Sequence, residues 1–354
     1  MTDNEIELVV NNYRNHFLID EIKDGKPIYR NSNKIWRVPG GLCSVYKFQI
    51  KDGNIKALRI WKSLISKSQE RYESISNELN KINSQYFVNF KFIKNAFSFN
   101  GICNPVVLMD WCDGIGLKKY IYNNIDNSQK IEKLASSFLT MAYQLHKYGI
   151  SHGDLQHENI LVKKDGSIVL IDYDTMFVPR LKGFKDECEG YSGYQHPTAR
   201  MNNKILSPKI DYFSELILYL SIRAIAKNKS LFDKYLVEEQ DQSMLFTVFD
   251  LKKLRNSTIY HDIKNLGNDF SILLNILESY LLKTDINDLE PFYILAKRMG
   301  LQFQVNENII TIDKNEYMKI HENVSFVSKY CNQCGKRYEP DRSKFCSKCG
   351  NKRF

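Results

Sequence analysis

No apolar run in this chain is long enough to cross a bilayer. The longest, Leu216 to Ala226, is broken by Arg223 and falls far short of the ~20 residues a spanning helix needs. The amino-terminal stretch, MTDNEIELVV, has no basic region followed by an apolar one, so no secretory leader is expected. A disulfide framework is missing too. Of the eight cysteines, four are scattered (Cys43, Cys103, Cys112, Cys188) and four cluster near the carboxyl end, a pattern that fits a reducing compartment. Internal repeats and low-complexity tracts are absent. These absences lead to the expectation of a soluble, cytoplasmic protein.

What is present is enough for a large core. Hydrophobic residues make up 43% of the 354 residues and aromatics 12%, while charged residues, at 26%, are ordinary. The net charge of +9 is uneven, because Phe326 to Phe354 carries +6 of it. Acidic partners are therefore plausible for the tail and only weakly suggested for the body.

The most informative stretch is Ser151 to Asp174, SHGDLQHENILVKKDGSIVLIDYD. Ile160 to Val162 and Ile168 to Ile171 read as two strands joined at Asp165-Gly166. One loop thus carries Asp154 and Asn159, five residues apart, and the end of a paired strand carries Asp172, thirteen residues further on. Phosphoryl transfer needs this set: a carboxylate near the attacking hydroxyl and oxygen ligands for Mg²⁺. The spacings resemble the protein-kinase superfamily, with His152-Gly153-Asp154 and Asn159 as the catalytic loop and Asp172 as the metal aspartate. Gly153 stands where that family usually has arginine, Tyr173-Asp174 where it has Phe-Gly, and Gln156 where its serine/threonine members have lysine. The first two departures are similar to aminoglycoside and choline phosphotransferases, which share the fold.

The resemblance implies an α+β, two-lobed kinase-like fold, with a small antiparallel β lobe and a larger helical lobe. Residues 35 to 62 read as three strands, with a turn at Asp52-Gly53-Asn54. Gly40 and Gly41 would lie over the ATP phosphates. Aligned on Val45, only Gly40 matches a family glycine, and Val38 and Cys43 occupy the other two positions. Arg59 falls where the phosphate-binding lysine belongs, and Lys56 and Lys62 face the other way. A helix from Ser66 to Ile82 follows, and either Glu73 or Glu78 could pair with Arg59; an ordinary surface carboxylate is the competing reading for each. Pro105 to Gly114 resembles the strand and hinge between the lobes. Met109 would then back the adenine, the backbone of Asp110 and Cys112 would bond its edge, and Val45, Ala57 and Leu161 would sandwich it.

Ile131 to Tyr148 reads as an amphipathic helix with Leu134, Phe138, Met141 and Leu145 on one face. Asp172 to Pro197 would be the activation segment, with Thr198 in place of the glutamate that usually closes it. Asp211 would either hold the catalytic-loop backbone or simply cap the next helix. Because Gly153 has no side chain, a phosphate on Thr175 or Ser192 would lack its usual partner, so no activation by segment phosphorylation is expected.

Near the end, Cys331-x2-Cys334 and Cys346-x2-Cys349 form two knuckles suited to tetrahedral Zn²⁺, and they resemble a zinc ribbon. The expected layout is an extension over 1–34, a β lobe and hinge over 35–112, a helical lobe over 113–321 and a ribbon over 326–354. The expected function is transfer from ATP, with Mg²⁺ on Asn159 and Asp172, to a protein serine or threonine. Asp154 would act on the hydroxyl and Arg59 on the phosphates. The ribbon would dock a protein partner or, less favoured, nucleic acid. Two alternatives stay open: a pseudokinase that binds nucleotide without catalysis, on account of Arg59, and a small-molecule kinase, on account of His-Gly-Asp.

Overall fold

The computed structural model describes residues 1–303, apart from 32–33, 65, 83, 188–189, 203 and 237–242. Cys331, Cys334, Cys346 and Cys349, and with them the expected ribbon, lie outside the described residues, as does Cys188. Among the described residues no helix is long and apolar enough to cross a membrane.

The first lobe is built on a twisted antiparallel sheet. Its strands are β1 (Lys26–Pro27), β2 (Arg37–Pro39), β3 (Cys43–Gln49), β4 (Ile55–Trp61), β5 (Phe90–Phe99) and β6 (Ile102–Asp110). Their order is β1-β3-β4-β6-β5, with β2 also paired to β3. The alternation in β3 and β4 sends Tyr46, Phe48, Leu58 and Ile60 to the outer face, where all are fully buried. Helix α1 (Asp3–Asn11) covers them. It starts at a capping box between Thr2 and Glu5 and adds Ile6, Val9 and Val10 to the same cluster. The opening residues, expected as an extension, therefore complete the core of this lobe. Their aliphatic residues recur at helical spacing within a polar stretch.

Helix α2 (Ser68–Ile82) lies between the sheet and the second lobe. Ser66, expected at the start of this helix, lies before it and gives its amide and hydroxyl to the Glu187 carboxylate in the activation segment. The second lobe packs α3 (Ser128–Lys147) against α5 (Tyr212–Lys227), and α6 (Asn268–Leu281) against α5; the short α4 (Ala199–Asn202) follows the activation segment. Leu134, Phe138, Met141 and Leu145 all face the core. The apolar run in α5 is enclosed by protein on nearly every side. Strands β8 (Ile160–Val162) and β9 (Ile168–Leu170) form the expected hairpin, and β7 (Ile115–Gly116) adds a third strand. The hairpin presents the loop before it and the residues after it to the space between the lobes.

Candidate active site

The loop between α3 and β8 is held from below. Asp211, at the start of α5, makes no side-chain cap bond. Its carboxylate accepts the backbone N–H groups of His152 and of Gly153, the latter at 2.9 Å. Of the two readings of Asp211, holding the loop is the one observed. Burial pushes its pKa up to about 6, against the pull of His152 and the two N–H bonds. The His152 imidazole bonds the Ile171 carbonyl at 2.8 Å, joining the loop to the residue before Asp172. Asn159 donates through Nδ2 to the carbonyl of Asp154 at 2.8 Å and to its carboxylate at 3.0 Å. Both partners are acceptors, so Asn159 Oδ1 is left to serve as an oxygen ligand.

Gly153 could not be another residue in this geometry. Its φ is +82°, and a Cβ would lie 2.2 Å from the Thr175 carbonyl oxygen. Thr175 is itself buried, and its hydroxyl donates to the His152 carbonyl at 3.0 Å. Of the two residues considered for phosphorylation, Thr175 is thus sealed in the fold and only Ser192 is exposed.

Arg59 lies opposite, on β4, directly across from Val45 on β3. It is 3% exposed. Each of its three side-chain nitrogens donates. Nε donates to Cys43 Sγ at 3.1 Å, Nη1 to Asp172 at 2.7 Å and to the Tyr72 hydroxyl at 3.2 Å, and Nη2 to Asp174. Tyr72 in turn donates to the other Asp174 oxygen. Neither Glu73 nor Glu78 takes part. Glu73 accepts from Gln69, while Glu78 is buried with Arg180 at 3.6 Å and Lys81 at 3.9 Å. The carboxylate that α2 was expected to supply comes from Asp174, and α2 contributes a hydroxyl.

The two aspartates differ. Asp172 keeps 42% of its side chain exposed, and its backbone sits in the left-handed region at φ +68°. That conformation costs a non-glycine residue about 1 kcal/mol or more and recurs at functional sites. Burial opposes ionisation of Asp172, but the charge and hydrogen bond of Arg59 hold its pKa below the usual carboxylate value. Asp174 is nearly enclosed. Burial pushes its pKa up, Arg59 offsets part of this, and the Asp172 charge adds to the rise.

The expected adenine residues lie on β3, β4, β6 and β8. Val45, Ala57 and Leu161 are half-buried, Met109 is buried, and Met109 pairs with Ala57 across β4 and β6. The Asp110 amide bonds the Asn89 carbonyl at 2.8 Å, so that N–H is not free for an adenine edge. Cys112 is half-buried beyond it. In the glycine turn, the Gly40 amide bonds the Cys43 carbonyl at 2.8 Å and its carbonyl accepts Lys62 Nζ at 2.6 Å, with Gly41 at the tip. Lys62 also pairs with Asp3, and Lys56 with Asp110, so neither stands in for Arg59.

The family profile of the protein kinase domain matches residues 39–286. The chain belongs to the protein kinase domain family. It is 26% identical over 159 residues to mouse serine/threonine-protein kinase greatwall, covering 44% of this chain and 17% of that protein. It is 24% identical over 200 residues to serine/threonine-protein kinase STE20 of Eremothecium gossypii, covering 56% and 20%. It is 29% identical over 154 residues to serine/threonine-protein kinase 10 of Danio rerio, covering 40% and 15%. In each case the match spans a fifth or less of the relative's length.

Within this kinase domain, Asp154, Asn159 and Asp172 come together around one hairpin, with Arg59 on Asp172. Tyr72 and Asp174 belong to the same cluster. Tyr72 carries no sequence signal beyond its place on the apolar stripe of α2. Asp174 shows itself only as a second carboxylate two residues after the first.

Proposed function

We propose that this kinase domain transfers the γ-phosphoryl group of ATP to serine or threonine hydroxyls of proteins. The observation that carries the reading is the junction of three acidic and amide side chains on one scaffold: Asn159 bound to Asp154, and Asp172 beside it on Arg59. Asp154 would accept the hydroxyl proton as the new O–P bond forms and the bond to the ADP oxygen breaks. The half-exposed Asp172 carboxylate and Asn159 Oδ1 are a donor set suited to Mg²⁺, which when bound would neutralise charge on the phosphates. Arg59 keeps a cation at the lysine position, and Val45, Ala57, Met109 and Leu161 supply an apolar slot for adenine.

A polypeptide acceptor is favoured by the segment between Asp172 and Pro197. Its Tyr191 amide bonds the Asp154 carboxylate at 3.1 Å. A cavity of about 220 Å³ adjoins it, and its lining includes Asp186, Gly190, Pro197, Arg200, Met201 and Lys204. Incubation with γ-labelled ATP, Mg²⁺ and a mixture of protein acceptors tests this, since label should appear on serine or threonine.

A second reading, a nucleotide-dependent binding module without catalysis, is favoured by the full commitment of Arg59 to protein partners. Phosphates would have to draw it away from Asp172. Tight ATP binding with no transfer to any acceptor would select it. For residues 326–354 the four cysteines support a structural zinc ribbon, tested by metal analysis of protein purified without added zinc and of Cys331→Ser.

A further inference from the structure

We infer that Arg200 and Asp186 form a built-in clamp that holds the activation segment on the catalytic loop, taking the place of segment phosphorylation. This rests on the kinase reading of the site. Residue 153 packs against Thr175 of the segment but has no side chain to pair with a phosphate, nor room for one. Its carbonyl is reached from outside instead. Arg200, in the short helix α4 just after the segment, donates through Nη1 to the Gly153 oxygen at 2.5 Å and to Gln195 at 2.7 Å. Its other two nitrogens fork onto one carboxylate, Nε to Asp186 Oδ2 at 2.9 Å and Nη2 to Asp186 Oδ1 at 3.1 Å. Both side chains are 4% exposed.

One guanidinium, just past the segment, thus ties together the catalytic loop, the middle of the segment and, at Gln195, its end. A carboxylate provides what a phosphate would otherwise provide: a paired-oxygen acceptor for a planar fork. The clamp bears directly on the catalytic carboxylate. Between its two anchors the segment turns at Gly190, φ +68°, where a Cβ would lie 2.9 Å from Asp154 Oδ1 and 3.1 Å from Arg200 Nη1. The next amide, Tyr191, donates to Asp154. Arg200 is therefore a positioning residue. It touches neither the nucleotide slot nor the metal carboxylate, and acts on Asp154 through Gly153 and the 190–191 turn. Asp186 is covalently permanent, so the clamp needs no kinase upstream to close it.

The test compares full-length wild type, treated with phosphatase and verified by mass spectrometry, with Arg200→Lys, Asp186→Asn and Asp186→Glu. Dephosphorylated wild type should keep its turnover. Arg200→Lys keeps the charge but loses the fork, and Asp186→Asn loses the anion. Each should lower kcat about tenfold or more with KM for ATP within about twofold, and Asp186→Glu should recover most of the loss. Amide exchange at Tyr191, read in the same proteins, should speed up about tenfold in Asp186→Asn. That readout needs no catalysis, so it separates failure of the clamp from failure of the kinase reading. An Arg200→Lys protein that does not fold still leaves the exchange of Asp186→Asn and the phosphatase arm. Loss of turnover on dephosphorylation, or unchanged kcat and Tyr191 exchange in Asp186→Asn, would overturn the clamp.

Discussion

Two buried arginines, Arg59 and Arg200, meet their carboxylates in different ways. Among the described residues Arg200 forks onto the Asp186 carboxylate, and both side chains are nearly fully buried. Arg59 is shared between two carboxylates, one sealed and one open to the cleft. Burial pushes the enclosed Asp174 up, with the Asp172 charge adding to the rise, while the charge and hydrogen bond of Arg59 outweigh burial at Asp172 and hold it down. A matched, enclosed pair has one arrangement. An over-committed cation with one half-exposed partner can be repartitioned when a divalent cation and phosphates arrive. The first arrangement fixes a conformation, and the second waits for a ligand.

The largest contrast should come from Arg59→Ala. It strips Asp174 of its cation in a buried site, which costs about 3–5 kcal/mol of stability for pairs of this kind. Transfer should fall below detection, read against thermal denaturation to show how much protein stays folded. Arg59→Lys should not restore the family's usual chemistry. An ammonium cannot serve Cys43, Tyr72, Asp172 and Asp174 together, so transfer should drop about tenfold. A variant as active as wild type would mean that the four-way contact is dispensable.

Asp211→Asn should act through pH. The folded pKa of Asp211, about 6, lies above that of an unfolded aspartate, so its proton stabilises the fold fully below about pH 4. That contribution is lost as pH rises through 6. Denaturation of both proteins across pH 4 to 7 should show wild type losing stability relative to the asparagine variant. A difference independent of pH would sink the assignment. The smallest effect belongs to Glu78→Gln. Its carboxylate faces Arg180 rather than Arg59, so kcat and KM for ATP should stay within about twofold of wild type. A loss like that of Arg59→Lys would restore Glu78 as the partner.

The hairpin, the loop that precedes it and the apolar face of α3 were legible because each rests on local spacing: a turn at Asp165-Gly166, a five-residue step to Asn159, a helical stripe. The strand carrying Arg59 was legible by alternation. Its partner was not. Glu78 has the chain distance expected of the pairing carboxylate, but side-chain direction on α2 turns it toward the segment and brings Tyr72 to Arg59. Likewise Arg200 and Asp186 are fourteen residues apart in an irregular stretch, where no period predicts a meeting. Local pattern marks the elements. Which charges meet between elements depends on packing that no single stretch encodes.

The most direct measurement is phosphate transfer from γ-labelled ATP by wild type and Asp154→Asn side by side, with nucleotide affinity measured on both. Wild type should label serine or threonine, and Asp154→Asn should bind ATP within about twofold of wild type and transfer at least a hundredfold less. Equal transfer by the two proteins would contradict the role of Asp154 in this site, and ATP binding without transfer by wild type would contradict the enzyme itself.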